Sequence, residues 1–131
     1  MTMFVLDNGV WKREVSYIDK NGNESIELEP CLITDVPVSD LLCEWEDMVL
    51  ELSQKEVELY NLKEAYLIAE AKIVNEVDFK AIYGANNQKV RDNHVKSELA
   101  DMVSQMKGLE FGINWIRQYI PLLKEVIRSK Q

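Results

Sequence analysis

The chain has 131 residues, 29% of them charged, and a net charge of −8. This length allows one domain, or one helical domain with a small appendage. The acidic balance excludes a whole-chain basic footprint, so direct nucleic-acid binding is not expected. No apolar run approaches membrane-spanning length, so no membrane is expected as a partner.

The charge is unevenly spread. Residues 1–38 carry three basic and seven acidic side chains, and residues 39–77 carry three and ten. Residues 78–131 reverse the balance with nine basic and six acidic. Segments of opposite sign attract, and pairing within the chain is the simplest use of that. No secretory leader opens the sequence. Cys31 and Cys43, with one lone histidine, do not make a zinc set, and they read as free cytosolic thiols. A cytoplasmic protein is the expectation.

Two organisational segments are expected, a short β-rich stretch at 1–36 and a helical hairpin at 37–131. Asp7-Asn8-Gly9 and Asn21-Gly22-Asn23 are turn signals. The residues between and around them predict strands at 3–6, 10–18 and 24–29, a small β-hairpin or meander. Trp11, Val15 and Tyr17 should share one face. Pro30 and Pro37 then bracket a linker.

Ser39 is the expected N-cap of the first long helix, with Asp40 in its first turn. Apolar residues then recur at Leu41, Trp45, Met48, Leu52, Leu59, Leu62, Tyr66, Ala69 and Ile73, with Lys55 filling the one gap. A second stripe has the same 4-3 spacing: Val95, Leu99, Met102, Met106, Leu109, Ile113, Ile116, Ile120, Leu123 and Ile127. Sustained heptads of this kind predict coiled-coil packing. Run antiparallel, the stripes mate in constant register, from Leu41 opposite Ile127, through Leu59 opposite Leu109, to Ile73 opposite Val95. Lys55 falls opposite Ile113, where its stem can cover the seam. The fold class is therefore mainly α, a long antiparallel helical hairpin.

Residues 78–88 form the expected connection. Gly84 supplies a positive φ, and Asn86 or Asn87 caps the second helix. Phe79, Ile82 and Tyr83 are expected to plug the open end. Pro121 interrupts the second stripe without shifting its phase, which predicts a kink near 117–121 and not a stop.

A second apolar stripe flanks the seam on the later helix: Phe111, Trp115, Leu122 and Val126, with Tyr119 near it. Leu42, Val49, Tyr60, Leu67 and Val74 flank it on the earlier one. Either the N-terminal strands cover these residues or a second copy does. The second option makes Phe111, Trp115, Leu122 and Val126 a dimer face, and the protein a homodimeric four-helix bundle.

No nucleophile–base pair, metal set or phosphate loop is visible, so no cofactor and no enzyme are expected. The one cluster of mixed chemistry lies around the connection. Lys80, Tyr83, Asn86, Asn87, Lys89, Arg91 and His94 are candidate partner-binding residues, set against a self-packed connector. A second candidate is the acidic face of the first helix, through Glu44, Asp47, Glu51 and Glu58. That face suits a mimic of nucleic acid that competes for a basic groove.

The run DFKAIYGANNQKVRDNHV, residues 78–95, followed by Lys96-Ser97-Glu98-Leu99, resembles the central signature of small uncharacterised proteins from phages and prophages of Gram-positive bacteria. The similarity runs from about residue 38 to the C-terminus and leaves out the strand-like part. It implies a cytoplasmic phage early protein, often encoded near replication and recombination genes, with no catalytic residues to carry over. The expected function is non-enzymatic protein–protein contact accessory to phage DNA replication or recombination. The alternative is an anti-CRISPR or other anti-defence inhibitor of a host nuclease.

Overall fold

The computed structural model describes residues 3–131; the first two residues of the expected β-rich segment lie outside the described residues. Three strands, β1 (Phe4–Asp7), β2 (Val10–Ile18) and β3 (Glu24–Pro30), are followed by helices α1 (Val38–Glu76), α2 (Phe79–Tyr83), α3 (Gln88–Glu98) and α4 (Ala100–Lys130). The chain divides into two compact units. The first combines the residues up to Met48 with Tyr119–Gln131, and the second is Val49–Gln118.

In the first unit the strands form an antiparallel meander in the order β1-β2-β3. Asn8 and Gly9 join β1 to β2 with φ of 50° and 79°. Two successive positive φ values match the right-handed twist of a hairpin, which is why Asn-Gly is found there. The β2–β3 loop is organised by Asp19, whose carboxylate accepts from the N–H groups of Asn21 and Asn23. Cross-strand register sets Arg13 beside Glu29, and the two make an ion pair at 3.0 Å.

Three strands this short need a hydrophobic support. Trp11 supplies it: its side chain is buried, and its indole N–H donates to the Tyr119 hydroxyl of α4 at 2.7 Å. Beyond β3, Val36 is fully buried and its carbonyl accepts from the Lys130 ammonium. Leu41, Met48, Leu123 and Ile127 complete the buried apolar set of this unit. The helix begins two residues earlier than expected. Ser39 lies inside α1, and the Pro37 carbonyl takes the first N–H groups, those of Asp40 and Leu41.

In the second unit, α1 packs antiparallel against α4. Arg117 pairs with Glu56 at 2.7 Å, and one heptad further on Glu110 pairs with Lys63 at 3.8 Å. Equal steps in opposite directions are the signature of a constant antiparallel register. All the stripe residues here, from Leu52 to Ile73 on α1 and from Val95 to Ile116 on the later helices, are buried or half-buried. Lys55 is half-buried as its position requires. Its stem lies 3.7 Å from where a Cβ on Gly112 would stand, and its ammonium sits 3.7 Å from Glu51.

Two expectations change. The second long helix is not continuous, because Leu99 departs from helical geometry at φ −106°, ψ 20° and separates α3 from α4. The Leu99 N–H still reaches the Val95 carbonyl, and the Val103 N–H still reaches that of Leu99, so the stripe passes through the break. At the connection, Phe79 is buried as a plug, but Ile82 and Tyr83 are 60% and 51% exposed. Pro121 does not end α4, which runs on to Lys130. Pro121 and Arg117, whose carbonyl the proline leaves without its helical donor, are both exposed to water.

Burial holds the Tyr119 phenol above its ordinary pKa, the Trp11 hydrogen bond partly offsets this, and the Glu44 charge adds to it. The folded protein therefore keeps that proton longer than the unfolded chain does. Its contribution to stability is complete below the ordinary phenol pKa of about 10 and is lost as pH rises through the higher folded value. Tyr119→Phe leaves a buried indole N–H without an acceptor, at a cost of about 1–3 kcal/mol near neutral pH. Urea titrations in alkaline buffers should show a flatter loss of stability in this variant than in the wild type. Separately, Gly108 lies inside α4, and a Cβ added there would meet nothing within 4 Å. Gly108→Ala should raise stability by about 0.5–1 kcal/mol through helix propensity alone, read as a higher urea midpoint at unchanged slope.

Candidate functional site

The tip is built from α2, α3 and the turn between them, all in the second unit. Asp78 caps α2 by accepting from the Ala81 N–H at 3.1 Å. Gly84 ends it at φ 73°, donating its N–H to the Lys80 carbonyl at 2.9 Å. A residue with a Cβ loses about 1–2 kcal/mol in that conformation, so glycine fits where the chain reverses. Asn87 then starts α3, its side-chain oxygen accepting from the Val90 N–H at 2.9 Å.

His94 joins the two short helices. Its Nδ1 lies 2.6 Å from the Tyr83 hydroxyl, and its Nε2 faces the Glu98 carboxylate at 3.9 Å. Which of Tyr83 and Nδ1 donates follows the tautomer of the ring. Phe79 meets the ring edge-on, with centroids 5.3 Å apart. Both ring nitrogens thus face groups of the tip itself. The arrangement suits a clamp that fixes α2 against α3.

The expected tip residues are brought together, but they fall into two groups. Tyr83, Asn87 and His94 are used inside the tip. Arg91, expected at the surface, is half-buried; its guanidinium donates to Gln88 at 3.3 Å, and Gln88 in turn donates to Asp92 at 2.7 Å. Lys80, Asn86 and Lys89 are exposed. These three present two cations and an amide to solvent, beside the half-exposed ring of Tyr83.

The other candidates are more scattered. Asp47 and Glu58 are exposed, Glu44 is half-buried, and Glu51 is half-buried beside Lys55. Glu44 and Asp47 belong to the first unit, Glu51 and Glu58 to the second. Of the expected dimer stripe, Phe111 and Trp115 lie in the second unit and Leu122 and Val126 in the first. Phe111 is 76% exposed and Leu122 52%, whereas Trp115 is 38% exposed and Val126 half-buried. Tyr119, beside them, is buried and bonded to Trp11. The strands therefore take at least that part of the stripe.

A further surface was only half legible in the sequence. Leu50, Val57, Tyr60 and Leu67 of α1 are all exposed in the second unit. Tyr60 and Leu67 stand out as flanking residues, but Leu50 and Val57 join them only when a second stripe, offset from the first, is traced along the same helix.

Burial raises the Cys31 thiol above its ordinary pKa, and the Asp35 charge adds to this, which disfavours a reactive thiolate. Cys31 and Cys43 are both free. Among the described residues no group of three or more His, Cys, Asp or Glu side chains is placed to hold a metal ion. No helix among them is long and apolar enough to cross a membrane. Compared with protein-family models, curated proteins and solved structures, the chain matches none.

The two asparagines of the tip should separate in a thermal melt. Asn87→Ala removes a cap and should cost about 1 kcal/mol. Asn86→Ala changes only an exposed side chain and should stay within about 0.5 kcal/mol of the wild type.

Proposed function

We propose that this chain is a non-enzymatic protein that works by protein–protein contact, as an accessory factor for phage DNA replication or recombination in the cytoplasm of a bacterial host. The observation that supports contact as its mode of action is the solvent-facing set at the tip, Lys80, Asn86 and Lys89, held on a base locked by Asn87, His94 and Phe79. Rigid elements that present exposed polar groups on a turn are a common way to carry recognition. The chemistry presented is cationic and amide-bearing, which fits an acidic protein surface. The phage setting and the link to replication rest on the resemblance of residues 78–99.

A second reading is an anti-defence protein, for instance an anti-CRISPR, that engages a basic groove of a host nuclease through carboxylates of α1. The exposure of Asp47 and Glu58 favours it. The two readings make opposite demands on a partner, acidic in the first and basic in the second.

The double variant Lys80→Glu with Lys89→Glu distinguishes them. Both side chains are exposed, so stability should change by only about 0.5 kcal/mol per site. Affinity capture from infected host cells should lose its prey with the double variant while circular dichroism stays unchanged. A folded double variant that captures the same prey would remove the tip from the contact. Prey lost instead on Asp47→Lys with Glu58→Lys would favour the second reading.

A further inference from the structure

The second unit leaves one side of α1 uncovered. Leu50, Val57, Tyr60 and Leu67 are 59%, 58%, 62% and 63% exposed. Their spacing of seven, three and seven residues keeps them on one face of the helix, outside the seam itself, with Tyr60 and Leu67 on the edge that borders α4. The positions between them in the same stripe are Ser53 and Glu64.

The order of apolar and polar positions in this stripe is the same in both directions. When α1 is laid antiparallel against a second α1, about a two-fold axis between Val57 and Tyr60, Leu50 falls opposite Leu67 of the second copy. In the same register Val57 falls opposite Tyr60, and Ser53 opposite Glu64. The leucine pair and the valine–tyrosine pair each recur by symmetry. The only charged residue in the stripe meets a hydroxyl that can donate to it, not another carboxylate. Glu56 borders the stripe near the axis, where two copies bring two carboxylates together. Each is already paired with Arg117 of its own chain at 2.7 Å, so the border carries a guanidinium for every carboxylate. A stripe shaped for a foreign helix has no reason to be self-complementary at every level, whereas an isologous interface must be.

We infer that a second copy of this chain covers α1, joining two protomers through antiparallel α1 helices with Leu50 facing Leu67 and Val57 facing Tyr60. The face differs from the Phe111–Val126 stripe that the sequence points to, and it leaves the tip exposed. The dimer does not depend on which partner the tip engages.

The full-length chain should sediment as a dimer at high micromolar concentration, and Val57→Glu should convert it to a monomer with its helical signal intact. Phe111→Glu should leave the dimer in place. Register is tested in a background with Cys31 and Cys43 replaced by serine. Leu50→Cys with Leu67→Cys in the same chain should give a covalent dimer under oxidation, while neither single variant should. Within one chain these two positions are roughly 25 Å apart along the helix and cannot bond to each other. A monomeric wild type overturns the proposal. So does a dimer that survives Val57→Glu, or one in which the double-cysteine chain fails to crosslink. None of these measurements involves a tip partner, so a failure here leaves the proposed function standing.

Discussion

The seam between α1 and α4 is the constraint from which the rest of the fold follows. A helix buries its apolar stripe only if a second stripe of the same period arrives in register, and a 4-3 repeat in both helices provides that. The two ion pairs one heptad apart, Glu56 with Arg117 and Lys63 with Glu110, border the seam in the second unit. They are exposed, so each adds little energy. Their value is directional, because a slipped register sets like charges side by side. Lys55 shows how strictly the pattern is kept: the one polar stripe residue stays half-buried in place, its stem against α4 and its ammonium beside Glu51.

The N-terminal strands depend on a different kind of bond. Hydrophobic contact alone allows a small sheet to slide over a helix, since burial is non-directional. An indole N–H that must find one hydroxyl in a dry environment does not allow that. Trp11 and Tyr119 therefore fix where β2 sits on α4. The rest of the sheet is held mostly by its own ladder and by surface pairs such as Lys12 with Asp7 and Arg13 with Glu29. Its outward face keeps Ile18 and Ile26 exposed.

Much of this was legible in the residues. The heptads, the three strands, the Asn-Gly hairpin, the glycine at the helix stop and the asparagine cap each have a local physical signature. What was not legible depended on tertiary placement. Nothing in the sequence distinguishes Phe79, which turns inward, from Ile82 and Tyr83, which do not. Arg91 looks like a surface cation until Gln88 and the surrounding helix half-bury it. The break at Leu99 has no glycine or proline to announce it, and the local sequence offers no physical reason for it. For the candidate site, the cluster was visible but not its division of labour. Whether an asparagine caps a helix or faces water is decided by one residue of register, as Asn87 and Asn86 show.

The Trp11–Tyr119 bond also joins residues that are 108 positions apart. During synthesis the strands emerge well before their anchor. At about 5–20 residues per second, Trp11 waits roughly 5–20 seconds on the ribosome before its acceptor exists. The second unit closes over shorter distances, as the 61-residue span of the Glu56–Arg117 pair illustrates. Loop closure favours the shorter span, by about 0.5 kcal/mol. For that interval the Trp11 indole lacks the hydroxyl it bonds in the folded protein, and the meander lacks the anchor that fixes it.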